Sequence, residues 1–236
     1  CKKLNRYASK LTLEDLQNDE VCRMIPNLSL DTVNEVIKSV EDKLKRGSVT
    51  QTNKVIYNSG PHHDDIMLGI MPLTNRQLRP ASNKVHFAVM TSGYNSVTNG
   101  FLRDSLKMTL DFLEEDKIQM VHYPDFFEEG YKHKYDKDIY HYLDSVASDN
   151  QYQMNRGFCH RLLRCSVRIW QFKNLEELKA KYNEVIGVLE RSYDGEKNTP
   201  DLQRLKGMIR EFEEELVWAY NGVPVKNVHH LHLGFY

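Results

Sequence analysis

The sequence predicts an α/β fold, a mostly parallel, doubly wound sheet interrupted by a helical insertion. Three observations predict it. Two short β-branched and aromatic runs, 54–58 (KVIYN) and 85–90 (VHFAVM), end at the turn signals Ser59-Gly60-Pro61 and Thr91-Ser92-Gly93. Each run is followed by a helical pattern, and strand, turn, helix, strand, loop, helix is the order that winds a parallel sheet. From about Tyr123 that rhythm gives way to aromatic and then helical sequence across 126–200, after which 227–233 (NVHHLHL) reads as a returning strand.

Taken in order, residues 1–52 form a helical leader. Thr12 caps a brief helix within 10–19, and Ser29 or Asp31 caps a longer one. Val33, Val36, Ile37, Val40 and Leu44 line one face of that longer helix, and Gly47 is expected to end it. Residues 53–236 form the α/β domain. Its first strand, 54–58, is expected to be buried. A helix begins at 66–71 and is disturbed by Pro72, and a second, 101–115, carries Leu102, Leu106, Leu110 and Leu113. Three more helices are expected near 155–171, 174–192 and 200–221, with Gly222 ending the last. Trp170, Phe172, Tyr182 and Trp218 read as core of the helical part. The aromatic stretch 123–142, with His122, His133 and His141, reads as packing, with a lid over a site as its alternative.

Charge and composition exclude several functions. With 32 Lys+Arg against 33 Asp+Glu, the net charge of -1 lacks the basic excess of a dedicated binder of nucleic acid or acidic membrane. No run of 18 apolar residues predicts a membrane span, and the polar first ten residues are not a signal peptide. Without an initiator Met the chain reads as a piece of something longer. Cys1, Cys22, Cys159 and Cys165 are too sparse for a disulfide framework and form no C-x-x-C pair, so a reducing, cytoplasmic setting is expected. Cys159 and Cys165 read as buried free thiols. There is no G-x-S-x-G, no P-loop and no G-x-G-x-x-G after the first strand, so neither a serine nucleophile nor a dinucleotide is expected.

One constellation carries chemistry. Pro61-His62-His63-Asp64-Asp65 places two imidazoles and two carboxylates just after a strand, at the carboxyl edge where open α/β sheets bind ligands. Zinc takes neutral imidazole nitrogen and carboxylate oxygen, and a catalytic site leaves a position open for water. His62 and Asp65, three residues apart, can turn toward one ion if a helix begins between them, which leaves Asp64 to take a proton from the water. A capping reading stands beside this one: the two acids would favour the helix dipole and the histidines would be solvated. His229, His230 and His232 form an alternative ligand cluster, but with His230 and His232 on one strand face and His229 on the other they read as polar residues near a sheet end.

The segment 58–69 (NSGPHHDDIMLG) resembles the signature of the LmbE-like, or PIG-L-like, metal-dependent de-N-acetylases, a strand followed by P-H-P-D-D-E. MTSG at 90–93 resembles that family's second block. Arg210-Glu211-Phe212-Glu213, followed by Ala219 and Gly222, resembles its third, R-x-x-E before a buried strand. The likeness covers about 55–122 and 205–236. More narrowly, PHHDDIMLG, TSGYNSVTN, LKGMIREFEEEL and HLHLGFY look like the deacetylase-like C-terminal part of glucosamine-6-phosphate deaminase (isomerase)-like fusion proteins, whose deaminase tail residues 1–20 would fit.

The resemblance implies a Rossmann-like sheet and removal of an acetyl group from an N-acetylglucosamine-type amino sugar or its phosphate. It implies His62 and Asp65 as metal ligands, Asp64 as general base, Arg210 near the sugar, and Zn2+ or another divalent metal as cofactor. The partner it implies is a small-molecule amino sugar, with no nucleic acid and no membrane, and with any oligomer formed through the full-length protein. His63 stands where proline is usual and Ile66 where an acid is usual. The family's third ligand comes from a histidine motif downstream of the third block, so two protein ligands rather than three are expected here. The alternative is a non-catalytic sugar-sensing module of a glucosamine-6-phosphate deaminase/isomerase, or a chain whose named activity, ring-opening deamination, lies in an upstream domain.

Overall fold

A computed structural model describes residues 1–233. They divide into two units, Cys1–Gln51 and a second that begins at Thr52. In the first, Thr12 and Asp15 form a capping box at the start of α1 (Leu13–Gln17), and Ser29 and Thr32 form one at the start of α2 (Leu30–Ser48). Gly47 does not stop α2, which runs one residue further. The apolar stripe of α2 is exposed at Val36, Val40 and Leu44.

The second unit is built on three parallel strands, β1 (Val55–Gly60), β2 (Lys84–Val89) and β3 (Val228–His230), in the order β1-β2-β3. The register aligns Asn58 with Phe87 and Phe87 with Val228. The expected mostly parallel sheet is present as these strands within a mostly helical mixed α/β unit. Two expectations about β1 are corrected. It runs through Gly60, which pairs with Val89, so the turn begins at Pro61. It is also half open rather than buried: Asn58 and Gly60 face inward, while Val55 and Tyr57 are exposed, as period-two alternation on a single covered face produces.

Helix α3 (Asp65–Leu78) returns the chain from β1 to β2 and continues past Pro72, where the sequence predicts a disturbance. The disturbance is a kink: Ile70 leaves helical geometry at φ -137°, and the Thr74 hydroxyl donates to its carbonyl at 3.2 Å. Helix α4 (Asn99–Glu114), capped by Thr98, follows β2. The insertion holds α5 (Tyr135–Ala147), which the sequence reading did not resolve, and α6 (Gln151–Trp170) and α7 (Leu175–Arg191). Helix α8 (Pro200–Tyr220) leads back to β3, and the predicted helices match α6, α7 and α8 within a few residues.

Leu102 and Leu106 of α4, Leu163 of α6, Leu178 and Tyr182 of α7 and Leu205 of α8 form one buried core. Cys159 and Cys165 are free and buried in it. Trp218 belongs elsewhere than expected. It stacks on Phe87 of β2 with ring centroids 3.6 Å apart, so it anchors α8 to the sheet rather than filling the helical core. Trp170 sits at the rim, its indole N–H donating to Asp201 at 3.2 Å. Among the described residues no helix is long and apolar enough to cross a membrane.

Candidate active site

Backbone hydrogen bonds carry the ladder beyond the strands and bring three strand ends together. Met90 N–H donates to Gly60 O at 3.0 Å, Thr91 N–H to Pro61 O at 3.0 Å, and the Thr91 hydroxyl to the same carbonyl at 2.9 Å. On the other side Leu231 N–H donates to Val89 O at 2.9 Å and Leu233 N–H to Met90 O at 2.7 Å. The turn after β1, the loop after β2 and the end of β3 therefore share one edge. Of the HLHLGFY block, Gly234, Phe235 and Tyr236 lie outside the described residues.

His62 and Asp65 converge at this edge. His62 Nδ1 lies 3.4 Å from Asp65 Oδ2, which also accepts the His62 backbone N–H at 2.8 Å. Two ligands of a tetrahedral zinc ion, each about 2.1 Å from it, are themselves about 3.4 Å apart. The observed spacing fits that geometry, with both side chains partly open to solvent. Asp64 occupies the N-cap position of α3 but makes no side-chain capping hydrogen bond, and it is exposed. The capping reading thus describes its position and not its carboxylate. Among the described residues no group of three His, Cys, Asp or Glu is placed to hold one ion.

His63 turns the other way. It is 2 % exposed, and neither ring nitrogen has a hydrogen-bond partner among the described residues. Burial, then the charges of Arg210, His230, His62 and His232, push its pKa down to about 3, so the ring is neutral. Its ring centroid lies 6.0 Å from that of His230. Gly93 makes the room: a Cβ there would meet His63 Nδ1 at 2.8 Å, and its φ of 62° is left-handed. Gly93→Ala is accordingly expected to cost about 2 kcal/mol, from left-handed strain and the displaced imidazole. Gly69→Ala, in α3 with nothing within 4 Å of the added carbon, should gain about 0.5–1 kcal/mol. Chemical denaturation of both variants checks the contrast.

Arg210 lies beside these residues, its Cγ 3.7 Å from the Gly93 Cβ position, with its guanidinium ion-paired to Glu213. The structure also gathers acids that the sequence reading passed over. Glu214 is 1 % exposed. Burial pushes its pKa up to about 7, against the lowering effects of the Trp218 indole N–H, which donates to it, and of His230 and Arg210. The negative charge of Asp64 adds to the rise, which places the two carboxylates in one electrostatic neighbourhood. Glu211 Oε1 is 3.3 Å from His232 Nε2, and Glu215 Oε1 is 3.7 Å from His230 Nε2. His229 faces the opposite way and meets His86 at 3.1 Å. A pattern in the sequence carried part of this: acids four apart on α8 share a helix face, whereas the expected strand over 227–233 ends at His230, and His232, at a left-handed φ of 49°, meets Glu211 from beyond it.

A cavity of about 650 Å³ opens beside these pairs, lined by Ser92, Tyr94 and Tyr135 as well as Glu211, Glu215 and His230. A smaller one of about 140 Å³ is lined by His62, Thr91 and Gly93, and Tyr94 borders both. Of the aromatic stretch 123–142, Tyr135 reaches the larger cavity wall.

No family model matches the chain, and no solved structure matches it. A "glucosamine-6-phosphate deaminase-like protein" of Bacteroides thetaiotaomicron is 37% identical over 67 residues, which is 28% of this chain and 10% of that protein. The likeness thus spans about a tenth of the relative's length.

Proposed function

We propose that the chain is an amide hydrolase that removes the acetyl group from an N-acetylglucosamine-type amino sugar or its phosphate. In this reading the second unit is a Rossmann-like, LmbE-like de-N-acetylase domain, and His62 and Asp65 hold a divalent metal, zinc by the chemistry of the donors. The observation that carries it is the 3.4 Å convergence of His62 and Asp65 beside the exposed Asp64 at the sheet's carboxyl edge. The similarity to a protein named as glucosamine-6-phosphate deaminase-like supports an amino-sugar setting. Bound zinc supplies Lewis-acid polarisation of the amide carbonyl and a lowered water pKa. Asp64 accepts the proton of the attacking water and returns it to the leaving amine. Arg210, held by Glu213, contacts the sugar, and the neutral ring of His63 packs the turn against Gly93.

Acetate release from N-acetylglucosamine and from its 6-phosphate tests this reading. The zinc-loaded chain should release acetate, lose the activity on chelation and regain it on adding zinc back. A second reading, a sugar-sensing module without catalysis, is favoured by the convergence of two donors rather than three among the described residues. Calorimetry showing sugar binding with neither zinc dependence nor acetate release would select it.

A further inference from the structure

We infer that the 650 Å³ cavity is a binding site for a phosphorylated monosaccharide, with Arg168 and Arg204 taking the phosphate; this rests on the amino-sugar reading and assigns the phosphate its place. Both arginines line the cavity, and neither guanidinium has a hydrogen bond or ion pair among the described residues. They reach it from different elements that are tied together there. Arg168 is in the last turn of α6, two residues before Trp170, whose indole donates to Asp201 in the first turn of α8, three residues before Arg204.

The same end of the cavity is walled by Pro200 and Gln203, so the first turn of α8 faces it. N–H groups in a helix's first turn lack internal acceptors and favour an anion. Thr199, the N-cap, spends no side-chain hydrogen bond on them. The acids of the cavity, in contrast, already have side-chain partners. Glu211 faces His232, and Glu215 faces Arg161 and His230. The charged groups left without a partner among the described residues are therefore the two guanidiniums, whose forked donors suit a phosphate monoester.

The dimensions fit a sugar phosphate. Arg204 and Glu211 are seven residues apart on α8, about 10 Å along its axis at the helical rise. A cavity of this volume lies within the range of small-molecule sites. Between its charged ends stand Tyr94 and Tyr135, and Tyr94 also borders the pocket of His62. A sugar anchored by its phosphate at Arg168 and Arg204 extends toward the proposed catalytic edge.

Calorimetry on the full chain with glucosamine 6-phosphate, glucosamine and inorganic phosphate tests this. Glucosamine 6-phosphate should bind at least tenfold more tightly than glucosamine, and Arg168→Ala/Arg204→Ala should remove that preference while melting at the parent's temperature. Arg168→Lys/Arg204→Lys should retain part of it. Equal affinity for the two sugars, or a preference that survives the double alanine variant, overturns the inference. The outcome separates from that of the proposed function. Acetate release without phosphate preference would leave the hydrolase standing and sink this site, and phosphate preference without acetate release would do the reverse.

Discussion

Asp64→Asn should abolish acetate release while leaving zinc affinity unchanged. The Asp64 carboxylate is exposed and makes no capping bond at the start of α3, so replacing it with an amide of the same shape removes little that holds the fold. What it removes is the group able to accept a proton beside the His62–Asp65 pair. Loss of a positioned general base typically costs about 10²–10⁴-fold in rate. His62→Ala and Asp65→Ala should behave differently, losing activity through zinc affinity, because each deletes one of the two converging donors. Calorimetric zinc titration and acetate assays on the three variants separate the roles. An Asp64→Asn variant with parental turnover would remove Asp64 from the chemistry. Parental zinc affinity in both alanine variants would remove the metal from this turn.

The legibility of the chain followed how local each determinant is. The Thr12 and Ser29 caps, the α4 leucines and the α6, α7 and α8 stretches could be read because a cap or a 3.6-residue period is written within a few adjacent residues. The His62–Asp65 pairing was legible for the same reason, since three residues and a helix start place both side chains. What escaped depends on distant partners. Trp218 looked like one more helical core aromatic until Phe87, far away in sequence, proved to be its neighbour. The half-open face of β1 depends on what covers the sheet, which alternation inside five residues does not record. Glu211, Glu214 and Glu215 drew no reading of their own, yet each is buried, Glu211 and Glu215 against histidines after and within β3 and Glu214 under the Trp218 indole. Helix α5 was hidden by its own composition, because the charged run 136–138 and the surrounding aromatic residues mask the short apolar face of Ile139, Tyr142 and Leu143.

The buried arginines of α6 should prove the costliest side chains to lose. Arg161 is 2 % exposed and lies between the rings of Tyr135 and Phe212, its Cζ 3.6 Å and 4.9 Å from their centroids. Nη1 donates to Glu215 Oε2 at 2.6 Å and Nη2 to the Tyr135 carbonyl at 3.0 Å. Arg164 pairs with Asp138 at 2.8 Å and donates to the carbonyls of Gly130, Tyr131 and His133, which fixes the chain leading into α5. Two cations thus balance two buried carboxylates, Asp138 and Glu215. Arg161→Met keeps most of the volume but leaves Glu215 with His230 as its remaining ion-pair partner among the described residues, and breaking one side of a buried pair costs about 3–5 kcal/mol. Arg161→Lys should fall between, because an ammonium cannot both stack on two rings and reach two acceptors. Arg161→Met/Glu215→Leu should recover most of the loss, since the double change removes the orphaned charge along with its partner. Urea denaturation with an unchanged slope reads these differences. An Arg161→Met protein within about 1 kcal/mol of the parent would mean that Glu215 is protonated or solvated in the folded state. Glu215 also lines the large cavity and faces His230, so the rescued double variant should fold yet bind glucosamine 6-phosphate more weakly than the parent. The same carboxylate would then be shown to serve the fold through Arg161 and the site through His230, which stability measurements on the single variants alone would not separate.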